Sequence, residues 1–319
     1  MTAQYGDVIA GRIKSVNPNY PFLEISGGKE IALEESQIFL GVLGCRKALH
    51  GFSGELPSTL KTGMSLHLLN KGGVIGQCTG FHRDLEWPTE IEYLGTIQQN
   101  GQPLNLQDFA LPFIEEPLPE VPVVMVVGTC MDAGKTSVCK RLLKLFSERG
   151  FSINAGKVSG VACQRDLIAM ERHGAKKTLS FVDFGLPSTT HLESLVSLAR
   201  SMVHHLSRSN PDFILLELGD GIVGAYRVAS MFEDEKLMSR CVFTILCAND
   251  LTGVWGGLQW LNSTKNPKQM LVSGRVTDST EGVRFIEQNW NLPAANAFDG
   301  SAKICTHVLE SMMPWLELE

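Results

Sequence analysis

The sequence predicts an α/β fold in which a mostly parallel sheet is flanked by helices and is preceded by a small, mostly-β domain. From Val123 onward, continuous apolar runs alternate with longer amphipathic stretches. This is the pattern of strands that are buried on both faces and joined by helices. Before that point, short apolar runs are separated by glycine and asparagine turn signals, a rhythm typical of a small β-barrel or sandwich.

The composition allows two domains with well-buried cores. The chain has 319 residues, of which 44% are hydrophobic and 19% charged, and its formal net charge is −6. Nucleic-acid binding needs a basic patch, and the absence of a long basic run disfavours nucleic acid as a partner. No stretch reaches the roughly 18 apolar residues of a membrane span, so no membrane partner is expected. The eight cysteines lack C-x-x-C and zinc-ligand spacing, which indicates reduced thiols in a cytoplasmic protein.

Residues 1–112 are predicted to form the β-rich domain. A hairpin is expected around Asn100-Gly101, because this pair favours the left-handed conformations of a tight turn. One helical segment is expected near residues 34–49. The candidate strands are VIAGRI, PFLEIS, EIALE, SLHLL and GVIGQCTGF. Residues 113–122 then form a linker that is rich in proline and glutamate, which is typical of a domain boundary.

Residues 123–319 are predicted to form the second domain. Its candidate strands are VVMVVG, SINAGKV, FILLEL, VFTILC and QMLVSG, and its candidate helices are SVCKRLLKLFSERG, TTHLESLVSLARSMVHHLSRS and STEGVRFIEQNW. The segment CANDLTGVWGGL is predicted to be a loop that contacts an acceptor or a partner subunit, with Asn249 and Asp250 as further site candidates. His204 and His205 are adjacent and point in different directions on a helix, so we interpret them as structural.

A phosphate-binding loop is predicted where the first of these strands ends. GTCMDAGKT, residues 128–136, lies between an apolar strand and an amphipathic helix, which is the order that a Walker A loop requires. Backbone N–H groups at a helix start attract phosphate oxygens, Lys135 can contact the β- and γ-phosphates, and Thr136 can bind Mg²⁺. The first glycine lies one position earlier than usual. The predicted nucleotide-binding residues are Gly128, Thr129, Cys130, Met131, Asp132, Ala133, Gly134, Lys135, Thr136 and Ser137.

This loop resembles that of dethiobiotin synthetase, which also has Gly-Thr, four residues, then Gly-Lys-Thr. Amidating synthases of cobyrinic acid share the pattern. Related ATPases of the cell-division and nitrogenase type carry an additional lysine early in the loop, where this chain has Cys130, so a dimer-forming ATPase of that type is disfavoured. The resemblance runs from Val123 to the end and implies a P-loop NTPase domain that uses ATP and Mg²⁺. A homodimer is one possible assembly.

Later segments extend the resemblance in the expected order. INAGKVSG is similar to a Lys-Pro-Val-x-x-Gly stretch of the same family, without the proline, which implies that Lys157 and Ser159 face the phosphates or the acceptor. The family also has an aspartate that helps to hold Mg²⁺, and Asp166 is the candidate; the alternative is an acid that stabilises a helix N-terminus.

The segment FILLELGDG resembles the Val-Glu-Gly-Ala-Gly-Gly stretch of the family. Glu217 ends an apolar strand, and the carboxyl ends of parallel strands face the ligand crevice. Hard cations prefer carboxylate oxygens, so Glu217 is predicted to bind metal or act in catalysis. Asp220 is the alternative acid.

The sequence favours ATP over GTP. GTP-specific proteins of this kind usually carry Asn-Lys-x-Asp after a late strand, and LVSGRVTDS occupies that place here. The partial match that starts at Asn70 lies in the other domain and lacks the aspartate. Dethiobiotin synthetases often use an asparagine at the end of that strand for adenine, whereas this chain has Ser273-Gly274.

Three functions fit these features. The first is a Mg²⁺-dependent ligase, synthetase or NTPase that uses ATP and activates a small carboxylate-type acceptor by phosphoryl transfer. Its predicted catalytic residues are Lys135, Lys157 and Glu217, and its predicted metal ligands are Thr136, Asp166 and Glu217. The second is a polynucleotide 5′-hydroxyl kinase, because the loop also resembles that of RNA-processing kinases with a β-rich N-terminal domain. The third is a nucleotide-gated switch or assembly factor.

Overall fold

The structure is a computed structural model that describes residues 2–264 and 269–316. The chain divides into two compact units. The first contains Met1–Pro112, Gly160–Arg165 and Phe181–His191, and the second contains Phe113–Ser159, Asp166–Ser180 and Leu192–Glu319. Two internal segments of the C-terminal half therefore belong to the N-terminal unit. Within the described residues, no helix is both long enough and apolar enough to cross a bilayer.

The first unit contains a closed β-barrel. Its strands are β1 (Val8–Ser15), β2 (Phe22–Ile25), β3 (Lys29–Ala32), β4 (Ile38–Leu43), β5 (Phe52–Glu55), β6 (Ser65–Leu68), β7 (Val74–Phe81), β8 (Glu90–Thr96), β9 (Gln98–Gln99) and β10 (Gln102–Pro103). Strands β4, β1, β8, β6 and β7 pair in that order, and β7 returns to pair with β4. Strand β5 pairs with β7 outside this ring. Of the two predicted architectures, the barrel is therefore the one that forms.

The barrel core explains why the strand predictions for this unit hold. Apolar side chains at alternating positions point inward and are buried, as in other small barrels; they are Ile9, Ile13, Leu43, Leu66, Leu68, Ile75, Ile91 and Tyr93. The hairpin predicted at Asn100-Gly101 is confirmed. These residues have φ values of 53° and 78° and lie between β9 and β10, as a two-residue turn requires.

The helix predicted near residues 34–49 is wrong. The segment contains β4, which pairs antiparallel with β1 and parallel with β7. Gly41 permits the close packing of β4, because a Cβ atom there would lie 2.8 Å from the carbonyl oxygen of Gly73. The apolar residues of this segment fit the period of a helix as well as that of a strand. The pairing with two neighbouring strands favours the strand.

The second unit is a parallel sheet covered by helices on both faces, as predicted. Its strands are β11 (Val123–Gly128), β12 (Ile153–Lys157), β13 (Lys177–Ser180), β14 (Phe213–Glu217), β15 (Cys241–Cys247) and β16 (Gln269–Ser273). They are ordered β13-β12-β14-β11-β15-β16, and each pairing is parallel. Strand β11 lies inside the sheet, with β14, β12 and β13 on one side of it and β15 and β16 on the other. Ligands of such folds bind at this position, beyond the carboxyl ends of the strands.

The helices of this unit are α1 (Lys135–Ser147), α2 (Arg165–Arg172), α3 (Val196–Ser207), α4 (Ala229–Phe232), α5 (Glu235–Arg240), α6 (Leu251–Ser263), α7 (Thr280–Trp290) and α8 (Ser301–Leu316). Helices α1 and α8 cover one face, where Val124 and Val126 of β11 pack in a common core with Leu142 and Val308. Helix α3 covers the other face. There, Gly156 of β12 lies close to Met202, Leu206 and Leu216.

Two sequence predictions for this unit are wrong in their extent or type. The helix predicted from Thr189 begins only at Val196. The predicted loop CANDLTGVWGGL contains most of α6, and Asp250 caps that helix by accepting a hydrogen bond of 2.7 Å from the Gly253 amide. The glycines of CANDLTGVWGGL are the reason that the sequence predicts a loop. In the structure, Gly253 and Gly257 lie on the side of the helix that approaches Thr129.

Replacement of Gly156 by alanine should destabilise the second unit. The added Cβ would overlap the Met202 sulfur and lie 2.9 Å from Leu216 Cδ2, and overpacking of this kind costs about 1–3 kcal/mol. Gly256→Ala is the matched control, since this helical glycine has open space around it and alanine should stabilise the helix by up to ~1 kcal/mol. Urea unfolding measures both. Equal stability of the two variants would contradict the packing of α3 on β12.

Candidate functional site

The predicted phosphate loop has the backbone of an anion-binding nest. Strand β11 ends at Gly128 and α1 begins at Lys135. Between them, Asp132 and Gly134 have φ values of 56° and 98°. Left-handed residues that alternate with ordinary ones turn successive N–H groups toward one concavity, where they attract anions. The loop therefore has the geometry that phosphate binding requires.

Lys135 lies inside this loop with its charge buried. Only 6% of the residue is exposed. Its Nζ donates hydrogen bonds to the carbonyl oxygens of Cys130, at 2.8 Å, and Asp220, at 2.7 Å. Gly128 allows this placement, because a Cβ atom there would lie 2.8 Å from Nζ. Within the part of the chain that the structure describes, no carboxylate forms an ion pair with Lys135.

Glu217 is a buried carboxylate beside the loop. Strand β14 pairs directly with β11, and Glu217 stands opposite Val126 in the register. Its Oε1 accepts a hydrogen bond of 2.9 Å from the Thr136 hydroxyl. The residue is 2% exposed, and its Oε2 has no hydrogen-bond partner among the described residues. The structure thus brings together Thr136 and Glu217, two of the three predicted metal ligands. The Oε2 atom of Glu217 is the oxygen that lacks a hydrogen bond within the described residues.

Two buried thiols show how little solvent reaches this region. Burial raises the pKa of Cys247 to about 12; nearby Lys135 opposes this shift and Glu217 adds to it. Burial also raises the pKa of Cys139 well above its usual value, with Glu217 as the next contribution. Both thiols therefore stay protonated at neutral pH, and charges in such surroundings act on each other more strongly than in water.

The remaining predicted residues form a second pair. Lys157, at the end of β12, forms an ion pair with Asp166 in α2, and both side chains are largely buried. Lys157 lies opposite Glu217 in the register of β12 and β14, so the pair lies at the same carboxyl end of the sheet as Glu217. Ser159 is fully buried and donates to the Gly219 carbonyl oxygen. The charge of Asp166 is compensated, whereas Glu217 has no cationic partner of this kind among the described residues.

The other candidate residues have structural contacts. Asp220 has a φ value of 66° and contributes its carbonyl oxygen to Lys135. Asn249 donates to the Cys130 sulfur at 3.1 Å, while Asp250 caps α6. Asn70 lies in the first unit, where its side-chain amide donates to the Ala162 carbonyl oxygen. That turn therefore has a structural role in its own unit.

Sequence reasoning missed a set of glycines that surround the phosphate loop. A Cβ atom at Gly221 would lie 2.5 Å from the Thr129 carbonyl oxygen, and one at Gly253 would lie 3.3 Å from Thr129 Oγ1. Gly274, which follows β16, would overlap the Ala133 carbonyl oxygen if it carried a Cβ. Gly221 and Gly274 lie in the connections that follow β14 and β16, and Gly253 lies in the first turn of α6, which follows β15. Their positions shortly after predicted strands are the signal that could have identified them. Together they allow three segments to pack against the loop.

Comparisons with known proteins give structural matches alone. No family model and no curated protein matches the chain. It is similar to the signal recognition particle receptor FtsY from Elizabethkingia anophelis in complex with GDP, at 16% identity over 59% of this chain and 60% of that chain, with a TM-score of 0.41. It is also similar to a DUF1611 family protein from Anabaena variabilis, at 14% identity over 68% and 65% of the two chains, with a TM-score of 0.44. The chain thus spans less than two thirds of these proteins.

The geometry of this chain itself defines the fold of the second unit. A buried strand leads through a nest-forming loop into a helix that starts with Lys135 and Thr136, at the centre of a parallel sheet. This is the arrangement of a P-loop NTPase. Glu217 lies at the carboxyl end of the adjacent strand, β14.

Cys130 should be the thiol that alkylates first in the native protein. It is partly exposed in the phosphate loop, and its sulfur accepts a hydrogen bond from the Asn249 side chain. Burial raises the pKa of three other partly exposed thiols, those of Cys45, Cys78 and Cys163, and this slows their alkylation because only the thiolate reacts. Treatment with iodoacetamide at pH 8, followed by peptide mapping, measures this order. MgATP should slow the modification of Cys130. Faster modification of Cys163 would contradict the geometry.

Proposed function

We propose that the second unit binds a nucleoside triphosphate with Mg²⁺ and transfers its terminal phosphoryl group. One observation carries this proposal: a buried ammonium, Lys135, and a buried carboxylate, Glu217, lie at the same loop, and neither forms an ion pair within the described residues. An uncompensated buried charge is costly. A bound phosphate chain and a cation would compensate both.

The residues of the site fit these groups. Thr136 Oγ1 and Glu217 supply the oxygen ligands that Mg²⁺ prefers, and Mg²⁺, when bound, neutralises charge on the phosphate oxygens. The N–H groups of the loop hold the phosphates. Lys135 stabilises the charge that develops on the oxygens of the transferred group, which is the main catalytic contribution available in such reactions.

We further propose ATP as the nucleotide and a small carboxylate as the acceptor, as the resemblance to dethiobiotin synthetase implies. The Asn-Lys-x-Asp sequence typical of GTP-specific proteins does not follow the late strand β16.

In the reaction, a carboxylate oxygen forms a bond to the γ-phosphorus. The bond between that phosphorus and the β–γ bridging oxygen breaks, and its electron pair leaves on ADP. Lys157 lies at the same end of the sheet as Glu217 and would stabilise the phosphates, with Asp166 holding its side chain in place.

Titration of the purified protein with ATP and with GTP, each with Mg²⁺, tests the proposal by calorimetry. ATP should bind more tightly, and Lys135→Ala should weaken binding by at least about tenfold, since a desolvated charge-assisted contact contributes roughly 1.5–3 kcal/mol. Lys144→Ala is the matched control. Lys144 lies on the same helix, but it is exposed and pairs with Glu148, so its loss should leave binding unchanged.

Two results would contradict the proposal. One is the absence of binding by either nucleotide at millimolar concentration. The other is an equal loss of binding in the Lys135 and Lys144 variants, since that would trace binding to general surface charge. Preferred binding of GTP would overturn the choice of ATP alone and leave the site assignment standing.

A further inference from the structure

A cleft of about 350 Å³ lies in the second unit beside the segment that follows β14. Its walls come from that segment, from α4, from α6 and from the residues that precede α3. The residues that matter for its chemistry are Glu193, Ile222, Val223, Arg227, Glu233 and Trp260. The proposed nucleotide site uses none of them.

The cleft adjoins the phosphate loop. The Ile222 amide donates to the Gly128 carbonyl oxygen at 2.8 Å, and the preceding Gly221 packs against Thr129. One residue earlier, the Asp220 carbonyl oxygen accepts from Lys135. A molecule in the cleft would therefore lie next to the segment that supports the loop, as the acceptor of a phosphoryl group must.

The charges of the cleft have both signs and do not neutralise each other. Arg227, Glu193 and Glu233 are exposed, and none of them forms an ion pair within the described residues. Arg200, in α3, shows the contrast, because it forms an ion pair with Asp234. Charges of opposite sign that line one cleft without pairing can each take a group of a ligand that carries both signs.

The cleft is held in shape by its own contacts. Arg227 has a φ value of 57°, a left-handed conformation that is strained for a residue other than glycine. Ser230 stabilises it, because its hydroxyl donates to the Arg227 carbonyl oxygen at 2.8 Å and accepts from the Leu195 amide at 3.0 Å. On the other wall, Phe232 packs edge-on against Trp260. Strained backbone that neighbouring contacts maintain is typical of binding sites.

We propose that this cleft binds the acceptor, and that the acceptor is a small zwitterion of the amino acid class. Arg227 pairs with its carboxylate, a geometry for which guanidinium is well suited. Glu193 and Glu233 bind its ammonium group, and Val223 and Trp260 cover its apolar part. The reaction rests on the proposed function, whereas binding of the zwitterion does not require nucleotide.

The test is calorimetric titration of wild-type protein and the Lys135→Ala variant with each of the protein amino acids, without nucleotide. At least one should bind both proteins. The N-acetyl and carboxamide derivatives of that amino acid should bind the wild-type protein at least about tenfold more weakly. The variants Arg227→Gln and Glu193→Gln/Glu233→Gln should bind the unmodified amino acid more weakly by a similar factor. Arg208→Gln, which removes an exposed arginine outside the cleft, should not. Circular dichroism checks that the variants are folded.

The outcomes separate the two proposals. Binding of an amino acid that fails to stimulate ATP turnover would support the cleft as a zwitterion site and contradict phosphoryl transfer to its occupant. Binding of MgATP with no amino acid bound at millimolar concentration would overturn the cleft proposal and leave the nucleotide site standing. Equal binding of the N-acetyl derivative would also overturn it, because the two glutamates would then have no ligand group to hold.

Discussion

The second unit is organised around two buried charges of opposite sign that are held without direct compensation. Lys135 is bound by main-chain carbonyl oxygens, and Glu217 is bound through one oxygen to Thr136. The effective cost of an unpaired buried ion is several kcal/mol, so the surrounding structure must supply that stability. It comes from the parallel sheet and its two helical layers, which are closely packed around Val124, Val126 and their neighbours.

The packing around the loop explains how these charges keep their positions. Gly221, Gly253 and Gly274 let the segments after three different strands approach the loop backbone closely. Such an enclosed loop has its N–H groups oriented before any ligand arrives, and preorganised dipoles stabilise transferring charge without reorganisation. The same segment that contains Gly221 continues into the charged cleft, so one connection serves both proposed sites.

Much of this organisation could be predicted from the sequence, and the reasons for the failures are physical. Five strands of the six-stranded sheet and the start of α1 follow from buried apolar runs and from the Gly134-Lys135-Thr136 motif. Strand β13 is absent from the predictions because its sequence, KTLS, contains a single large apolar residue. Helix α6 could not be predicted because its glycines have two opposite meanings: they mark loops in most sequences, but here they allow a helix to approach Thr129. The ion pair of Lys157 and Asp166 and the unpaired Glu217 oxygen depend on packing between strands distant in sequence.

The most direct measurement of the central claim is the free energy of unfolding of wild-type protein and Glu217→Gln, each with and without MgATP. If the buried charge of Glu217 is compensated only when a cation binds, the variant should be at least as stable as wild type without ligand. Saturating MgATP, at about 100 times its dissociation constant, should stabilise wild type by about 2.7 kcal/mol and the variant far less. A destabilised variant that retains the full stabilisation by MgATP would contradict the claim, because Glu217 would then be a structural residue.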